Sequence, residues 1–266
     1  MKLRTVSATR YITPLREGGS LPAIVEADDD GLYVLKFVGA GQGPRALIAE
    51  LVAGEIGRAL GLPVPEIVFA TIDADLARTE PDPEIQDLIR ASATRADGGA
   101  AINLALDYLP GAVAFDPLAF RPDAALASRI VWFDAYLSNL DRTPRNANML
   151  VWHDRLWLID HGAALYFHHA SRDFVDRAAM PFAAIKDHVL LPFATLLGDA
   201  DRALSATLEA DTIDAIAALI PDEWLGDDGH ADKPAQRTAY TRYLTRRLEA
   251  PRAFAEEAER ARSLHV

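Results

Sequence analysis

Between Asn139 and Gly162 the chain reads NLDRTPRNANMLVWHDRLWLIDHG, and its oxygen-bearing side chains are spaced for chemistry. Asp141 lies in a polar loop, Asn146 follows five residues on, and after a short hairpin Asp160 is closed off by Gly162. Phosphoryl transfer from ATP requires a carboxylate to align the acceptor hydroxyl, hard oxygen ligands for magnesium, and a cation on the α/β-phosphates. Asp141 and Asn146 have the Asp-x-x-x-x-Asn spacing of kinase catalytic loops, and Asp160 ahead of His161-Gly162 stands where a metal-binding Asp-x-Gly is expected. An Asp five residues before an Asn is common by chance. The weight therefore rests on whether the remaining sequence supplies the cation and a scaffold in the right order.

The candidate cation is Lys36, inside LYVLKFV. Strand alternation puts Tyr33, Leu35 and Phe37 on one face and Leu32, Val34, Lys36 and Val38 on the other, so Lys36 is the one charge on an apolar face. An exposed strand face would also explain it. The next segment, Ala46–Leu60, reads as a helix entered through Pro44 and ended by Gly61, with Leu62-Pro63-Val64-Pro65 forbidding continuation. Its apolar residues fill one broad arc, bracketed on opposite edges by Glu50 and Glu55. Either glutamate can lean toward Lys36 but not both, and at least one is expected to be an ordinary solvated charge. Upstream, Ala23–Ala27 and Leu32–Val38 flank Asp-Asp-Asp-Gly, a hairpin signal because Asp30-Gly31 tolerates positive φ. Gly18-Gly19-Ser20, at the mouth of that hairpin, either lays backbone N–H groups over phosphates or simply makes a turn.

The scaffold reads as α+β. Residues 3–12 form an edge strand, 66–72 another, Pro83–Ser92 a short helix in the acidic segment Asp73–Gly99, and Ala100–Leu109 a central strand broken by Pro110-Gly111. The first hundred or so residues are thus expected to be a mostly antiparallel sheet with one main helix. Beyond Pro122 helices dominate, over Ala124–Ser138, near Ala183–Leu197, Asp201–Ile220, and Gln236–Arg262 with a break at Pro251. Met149–Trp152 and Leu156–Ile159 interrupt them as a hairpin. Pro110–Asp116 is the expected boundary between an amino-terminal lobe, 1–109, and a carboxy-terminal lobe, 110–266. Trp132, Trp152 and Trp157 are read as core around the catalytic loop, His168-His169 as local packing rather than a metal site, and the stripe Tyr240, Tyr243, Leu244, Leu248 and Phe254 as a docking face.

Bulk properties remove other classes. With no cysteine there are no disulfides, thiolate metal sites or thiol nucleophiles. A net charge of -12 opposes a polyphosphate backbone, so nucleic acid is not an expected partner. No long uncharged apolar run and no hydrophobic signal region at MKLRTVSATRY are found, which reads as a cytoplasmic protein with no membrane partner.

The segments GGSLPAIVEADDDGLYVLKF, AELVAGEIGRALGLPVPE, NLDRTPRNANMLVW and LWLIDHGAAL resemble the HipA-like branch of the protein-kinase-like superfamily over nearly the whole chain. The resemblance implies a two-lobed protein-kinase-like fold, ATP and magnesium as cofactors, and transfer of the γ-phosphoryl group to a hydroxyl, with a Ser/Thr protein kinase as the leading form. It also makes Glu50, rather than Glu55, the partner of Lys36. By the roles so implied, Lys36 binds the α/β-phosphates and Asp141 positions or deprotonates the acceptor hydroxyl. Asn146 and Asp160 ligate magnesium, and Gly18, Gly19 and Ser20 cover the phosphates. Adenine lies against the Asp107-Tyr108-Leu109 backbone, with Arg142 and Arg145 as further phosphate contacts or surface charges; Asn148 ligates metal or stabilises the loop. Two departures stand out: Thr143 where many relatives have His, and His161 in place of the usual Phe of Asp-Phe-Gly. A small-molecule phosphotransferase of the aminoglycoside-kinase type shares the Asp…Asn…Asp logic but usually carries His-Gly-Asp where this chain has Asn139-Leu140-Asp141. A nucleotide-binding pseudokinase scaffold and, more remotely, a lipid kinase are the other readings. The acceptor, protein or small molecule, is not encoded in any motif.

Overall fold

The computed structural model describes residues 2–15, 21–170, 174–226 and 230–264, and its amino-terminal part is a closed barrel of five strands. Strand β1 (Thr5–Pro14) pairs antiparallel with β2 (Ala23–Ala27), and β2 with β3 (Leu32–Lys36), through the predicted Asp-Asp-Asp-Gly turn. Asp30 takes the positive φ, 62°, and Asp29 Oδ1 accepts from the Gly31 N–H at 3.1 Å. The chain then enters helix α1 (Gly43–Ala59), which ends at Gly61 with φ 68°. Strand β4 (Ile67–Thr71), a 3-10 turn over 74–79, helix α2 (Pro83–Ala93) and β5 (Asn103–Asp107) follow. β5 runs antiparallel between β3 and β4, as a central strand should.

Closure corrects one expectation. Residues 3–12 do not form an edge, because β1 also pairs with β4 in parallel, Thr5 with Phe69 through Ser7 with Thr71; the other four pairings of the barrel are antiparallel. Turning the sheet into a barrel removes its open edges. The barrel interior holds Val25, Tyr33, Leu35, Phe37 and Val68, and α2 caps one end with Ile85, Ile89 and Ala93. Ser92 and Asn103 then fix the exit from β3: Asn103 Oδ1 accepts from Val38 N at 2.9 Å and Ser92 Oγ from Gly39 N at 3.0 Å. A Cβ on Gly39 would stand 2.8 Å from Ser92 Oγ, so α2 approaches the β3–α1 connection as closely as glycine permits.

The outer face of the barrel receives α1, with Leu104, Leu106 and Ile67 in the same core as Ile48, Val52 and Ile56. After Pro110, β6 (Val113–Ala114) and helix α3 (Ala124–Leu137) lead to the hairpin β7 (Met149–Trp152) and β8 (Arg155–Leu158), and β6, β7 and β8 form a three-stranded sheet. Asp123 caps α3 by accepting from Ala125 N and Leu126 N. His153 and Asp154, at φ 49° and 57°, make the two-residue turn that matches strand twist. The rest is α4 (Phe167–Ala170), α5 (Leu197–Thr207), α6 (Ala210–Ala217), α7 (Lys233–Leu248) and α8 (Ala253–Ser263). The helix expected near 183–197 is instead two short 3-10 turns, and the one expected over 201–220 is two helices broken after Thr207. Tyr240, Tyr243, Leu244 and Phe254 are buried as the stripe predicted, whereas Trp152 and Trp157 are half-buried on the hairpin, so of the three tryptophans only Trp132 is core.

Residues 222–224 tie the helical part to the barrel behind α1. Trp224, 2% exposed, donates from Nε1 to the Ile102 carbonyl at 2.8 Å and meets Phe69 edge to face, while Glu223 accepts from Ile102 N at 2.6 Å and pairs with Arg95. Trp224→Ala removes that wedge and strands the Ile102 carbonyl, and the expected loss is about 3–5 kcal/mol. Urea unfolding should show it as a lower midpoint; an unchanged midpoint would mean that the tie carries no stability.

Candidate functional site

A cleft of about 1240 Å³ opens between the barrel and the β6–β8 sheet, and most of the residues singled out in the sequence line it. Lys36, at the end of β3, points from the outer face of the barrel into this cleft rather than into solvent. Its Nζ lies 2.6 Å from Glu50 Oε2 and 2.5 Å from Asp160 Oδ1. Glu50 is reached because α1 lies along the same barrel face, where it is wholly buried. Burial alone would neutralise both groups; instead Glu50 and Asp160 hold the Lys36 amine above its ordinary range, and Lys36, with His161, brings the Glu50 carboxyl down to about 2. Asp160 takes a left-handed backbone, φ 54°, and its carboxylate stays 46% exposed toward the cleft.

Glu55 corrects the expectation of a solvated edge charge. It is 4% exposed and pairs with Arg58 at 3.2 Å, and burial raises its pKa. Helix α1 has no solvent edge there, since every residue from Leu47 to Gly57 is buried between the barrel on one side and α6 with residues 222–224 on the other.

The Asp-x-x-x-x-Asn spacing has a geometric reason. Thr143 and Asn146 exchange two backbone hydrogen bonds, at 3.0 and 3.1 Å, across a turn holding Pro144 and Arg145. That turn brings the Asn146 side chain back, and its Nδ2 donates to Asp141 Oδ2 at 2.8 Å. Asn148, at φ 47°, donates at 3.3 Å both to Asp141 Oδ2 and to the Asp160 carbonyl, so it stitches the loop to the segment that follows β8. Arg145 and Asn146 are exposed on the cleft wall. Asp107, Tyr108 and Leu109 line the opposite end, where the Asp107 and Tyr108 N–H groups are taken by the Glu66 and Leu32 carbonyls. Gly18, Gly19 and Ser20 lie outside the described residues; the flanking Leu15 and Pro22 do line the cleft and close on each other, Leu15 N to Pro22 O at 2.7 Å.

Arg142 is not a phosphate contact or a surface charge. It is 1% exposed, donating from Nε to Asp134 Oδ2 at 2.5 Å and from Nη1 to the Asn148 carbonyl. Asp134 also accepts from Asn139 Nδ2 at 2.8 Å and from His188 Nε2 at 2.9 Å. Because His188 Nδ1 accepts from Leu190 N, its proton is on Nε2. Against the effect of burial, Arg142 and His188 hold the Asp134 carboxyl well below the carboxylate range. Sequence reasoning missed Asp134, although a signal existed: it is the one charge in the apolar run IVWFDAYL of α3. His188 carried none. His168 and His169 are local packing as read, with His168 bonded to Tyr240 Oη at 3.1 Å. No cluster of three or more His, Cys, Asp or Glu able to hold a metal occurs among the described residues, and no helix among them is long and apolar enough to cross a membrane.

A family model for HipA-like kinases matches residues 9–252. No curated protein matches the sequence. The Helicobacter pylori proinflammatory kinase CtkA superposes at a TM-score of 0.59 and 13% identity, with 100% of each chain covered. At that identity the likeness shows a shared, kinase-like fold. The Golgi casein kinase with Mn/ADP bound reaches 0.45 at 11% identity, over 96% of this chain and 75% of its own, too distant to bear on the chemistry here.

Asp134→Ala leaves Arg142 buried without its carboxylate and should destabilise the fold by about 3–5 kcal/mol, read from denaturant midpoints. The acid limb of stability follows from the histidines first. Burial pushes His168 down to about 3, and His188 is lowered by burial against the pull of Asp134. The unfolded chain takes up these protons near pH 6.5 and the folded one does not, so stability should fall as pH drops below about 6.5. A second loss, at lower pH, belongs to Glu50, whose contribution is full above about 4.3 and vanishes toward about 2. Unfolding midpoints against pH should show both limbs, and His168→Gln should flatten the first.

Proposed function

The chain belongs to the HipA-like kinase family, and from that footing we propose that this kinase transfers the γ-phosphoryl group of magnesium-ATP to a hydroxyl acceptor, foremost a serine or threonine of a protein. The observation that carries this reading is Lys36 of the barrel held between Glu50 and Asp160 at the cleft, with Asn148 linking Asp160 to the Asp141–Asn146 loop. On this reading residues 1–109 serve as a nucleotide-binding lobe and 110–266 as a catalytic lobe.

Lys36 neutralises the α/β-phosphates, and Glu50 keeps its ammonium aimed there. Asp160 and Asn146 would hold magnesium: both offer hard oxygens to the cleft, and with its amide nitrogen committed to Asp141, Asn146 presents its carbonyl end. When bound, the metal offsets charge on the transferring phosphate. Asp141, steadied by two asparagine amides, orients the acceptor hydroxyl and takes its proton. Gly18, Gly19 and Ser20 cover the phosphates, Arg145 reaches them from the cleft mouth, and the Asp107–Leu109 backbone receives the base.

Losing a positioned general base removes about 10²–10⁴ in rate, roughly 3–5 kcal/mol of barrier. Asp141→Ala should therefore nearly abolish labelling from γ-labelled ATP with magnesium while leaving the unfolding midpoint near wild type. Wild-type labelling in that variant would sink the assignment. In the same assay, a labelled band with or without lysate marks a protein acceptor, and label confined to small molecules overturns that part of the reading.

A further inference from the structure

His161, the residue after Asp160, is fully buried and stacks edge to face on Phe133, with ring centroids 5.9 Å apart. Its Nδ1 lies 3.4 Å from Glu50 Oε1, the oxygen that Lys36 does not use, while its Nε2 is buried with no hydrogen-bond partner. A phenyl ring would fill this place without stranding a nitrogen, and an unsatisfied buried acceptor is a net loss. The imidazole must be compensated at its other nitrogen.

We infer that His161 is a positioning residue that acts through Glu50: as the Nδ1–H tautomer it donates to Glu50 Oε1, so the carboxylate that aims Lys36 is gripped at both oxygens. The tautomer follows from the partner, because an ionised carboxylate only accepts. Lys36, Glu50, His161 and Asp160 then form a closed ring, from Lys36 Nζ to Glu50, from Glu50 to His161, along the backbone to Asp160, and back to Lys36. The inference rests on the roles proposed above for Lys36 and Asp160. If phosphates and magnesium draw these two apart, Glu50 becomes the only anion left to Lys36, and His161 is what keeps it in place.

The test is steady-state ATP turnover with magnesium, followed as released or incorporated γ-label, in His161→Phe, His161→Asn, Glu50→Gln and the double variant His161→Phe/Glu50→Gln. A hydrogen bond to a charged group supports a rise in KM for ATP of about 10- to 100-fold in His161→Phe, with kcat moved less. His161→Asn, which keeps a donor, should recover most of it, and His161→Phe should add nothing once Glu50 is Gln. Wild-type KM in His161→Phe, an Asn variant as weak as the Phe variant, or additive effects in the double variant each overturn the proposal. Should the Phe variant not fold, ¹⁵N spectra of the wild-type protein decide: an Nδ1–H imidazole for His161 supports the proposal and an Nε2–H imidazole overturns it. A wild-type protein that turns over no ATP, or an ATP KM indifferent to Glu50→Gln, defeats the reading of the site as well. A weak Glu50→Gln beside an unaffected His161→Phe removes the role of His161 alone.

Discussion

A lysine amine lifted out of water loses several kcal/mol of hydration, and it stays charged only where carboxylates are brought to it. Lys36 is such a group, and much of the structure can be read as what brings Glu50 and Asp160 within 2.6 Å of it. The barrel supplies a rigid outer face for β3, the Ser92–Asn103 bonds fix the turn from β3 into α1, and α1 delivers Glu50. The third partner arrives from the far side of the chain, on the strand exit after β8. Asp160 cannot reach Lys36 unless both halves of the molecule are folded and docked, so the complete ion triad forms only with the tertiary structure.

The loop from Asn139 to Asn148 repeats this logic with the charges reversed. Here the buried anion is Asp134, and the groups brought to it are Arg142, Asn139 and His188. Arg142 lies next to Asp141 in sequence, and with the guanidinium sunk into the core the neighbouring carboxylate is left half-buried, beside the Asn146 amide. The two networks meet at Asn148, whose amide touches Asp141 and the Asp160 carbonyl and whose own carbonyl accepts from Arg142.

Local features were legible because they depend on nearest neighbours. The Asp30 turn, the Gly61 stop, the His153-Asp154 hairpin and the Asp141–Asn146 turn all follow from residues a few positions apart, and the approach of Glu50 to Lys36 was foreseen from order and resemblance. What escaped depends on contacts between distant segments. The parallel pairing of β1 with β4 is set by barrel closure, which no periodicity reports. Glu55 and Arg142 look like surface charges in any window and are buried only because α6 and residues 222–224 cover one, and α3 with the 3-10 turns near His188 the other. Asp134 was visible as an anomaly, a carboxylate in an apolar helix, though its partner could not be named from that.

The enclosure of α1 has a bearing on control. Along Leu47–Gly57 the helix presents no surface for a partner protein to grip or for a modifying enzyme to reach. Any pivot of this helix would have to open a core that includes Trp224, so displacing Glu50 is an unfolding event rather than a signal. Variation along this helix will therefore be read by the cell as abundance, and adjustment of the working enzyme is left to the rim of the cleft, where Arg145, Asn146 and Asp160 remain in contact with solvent.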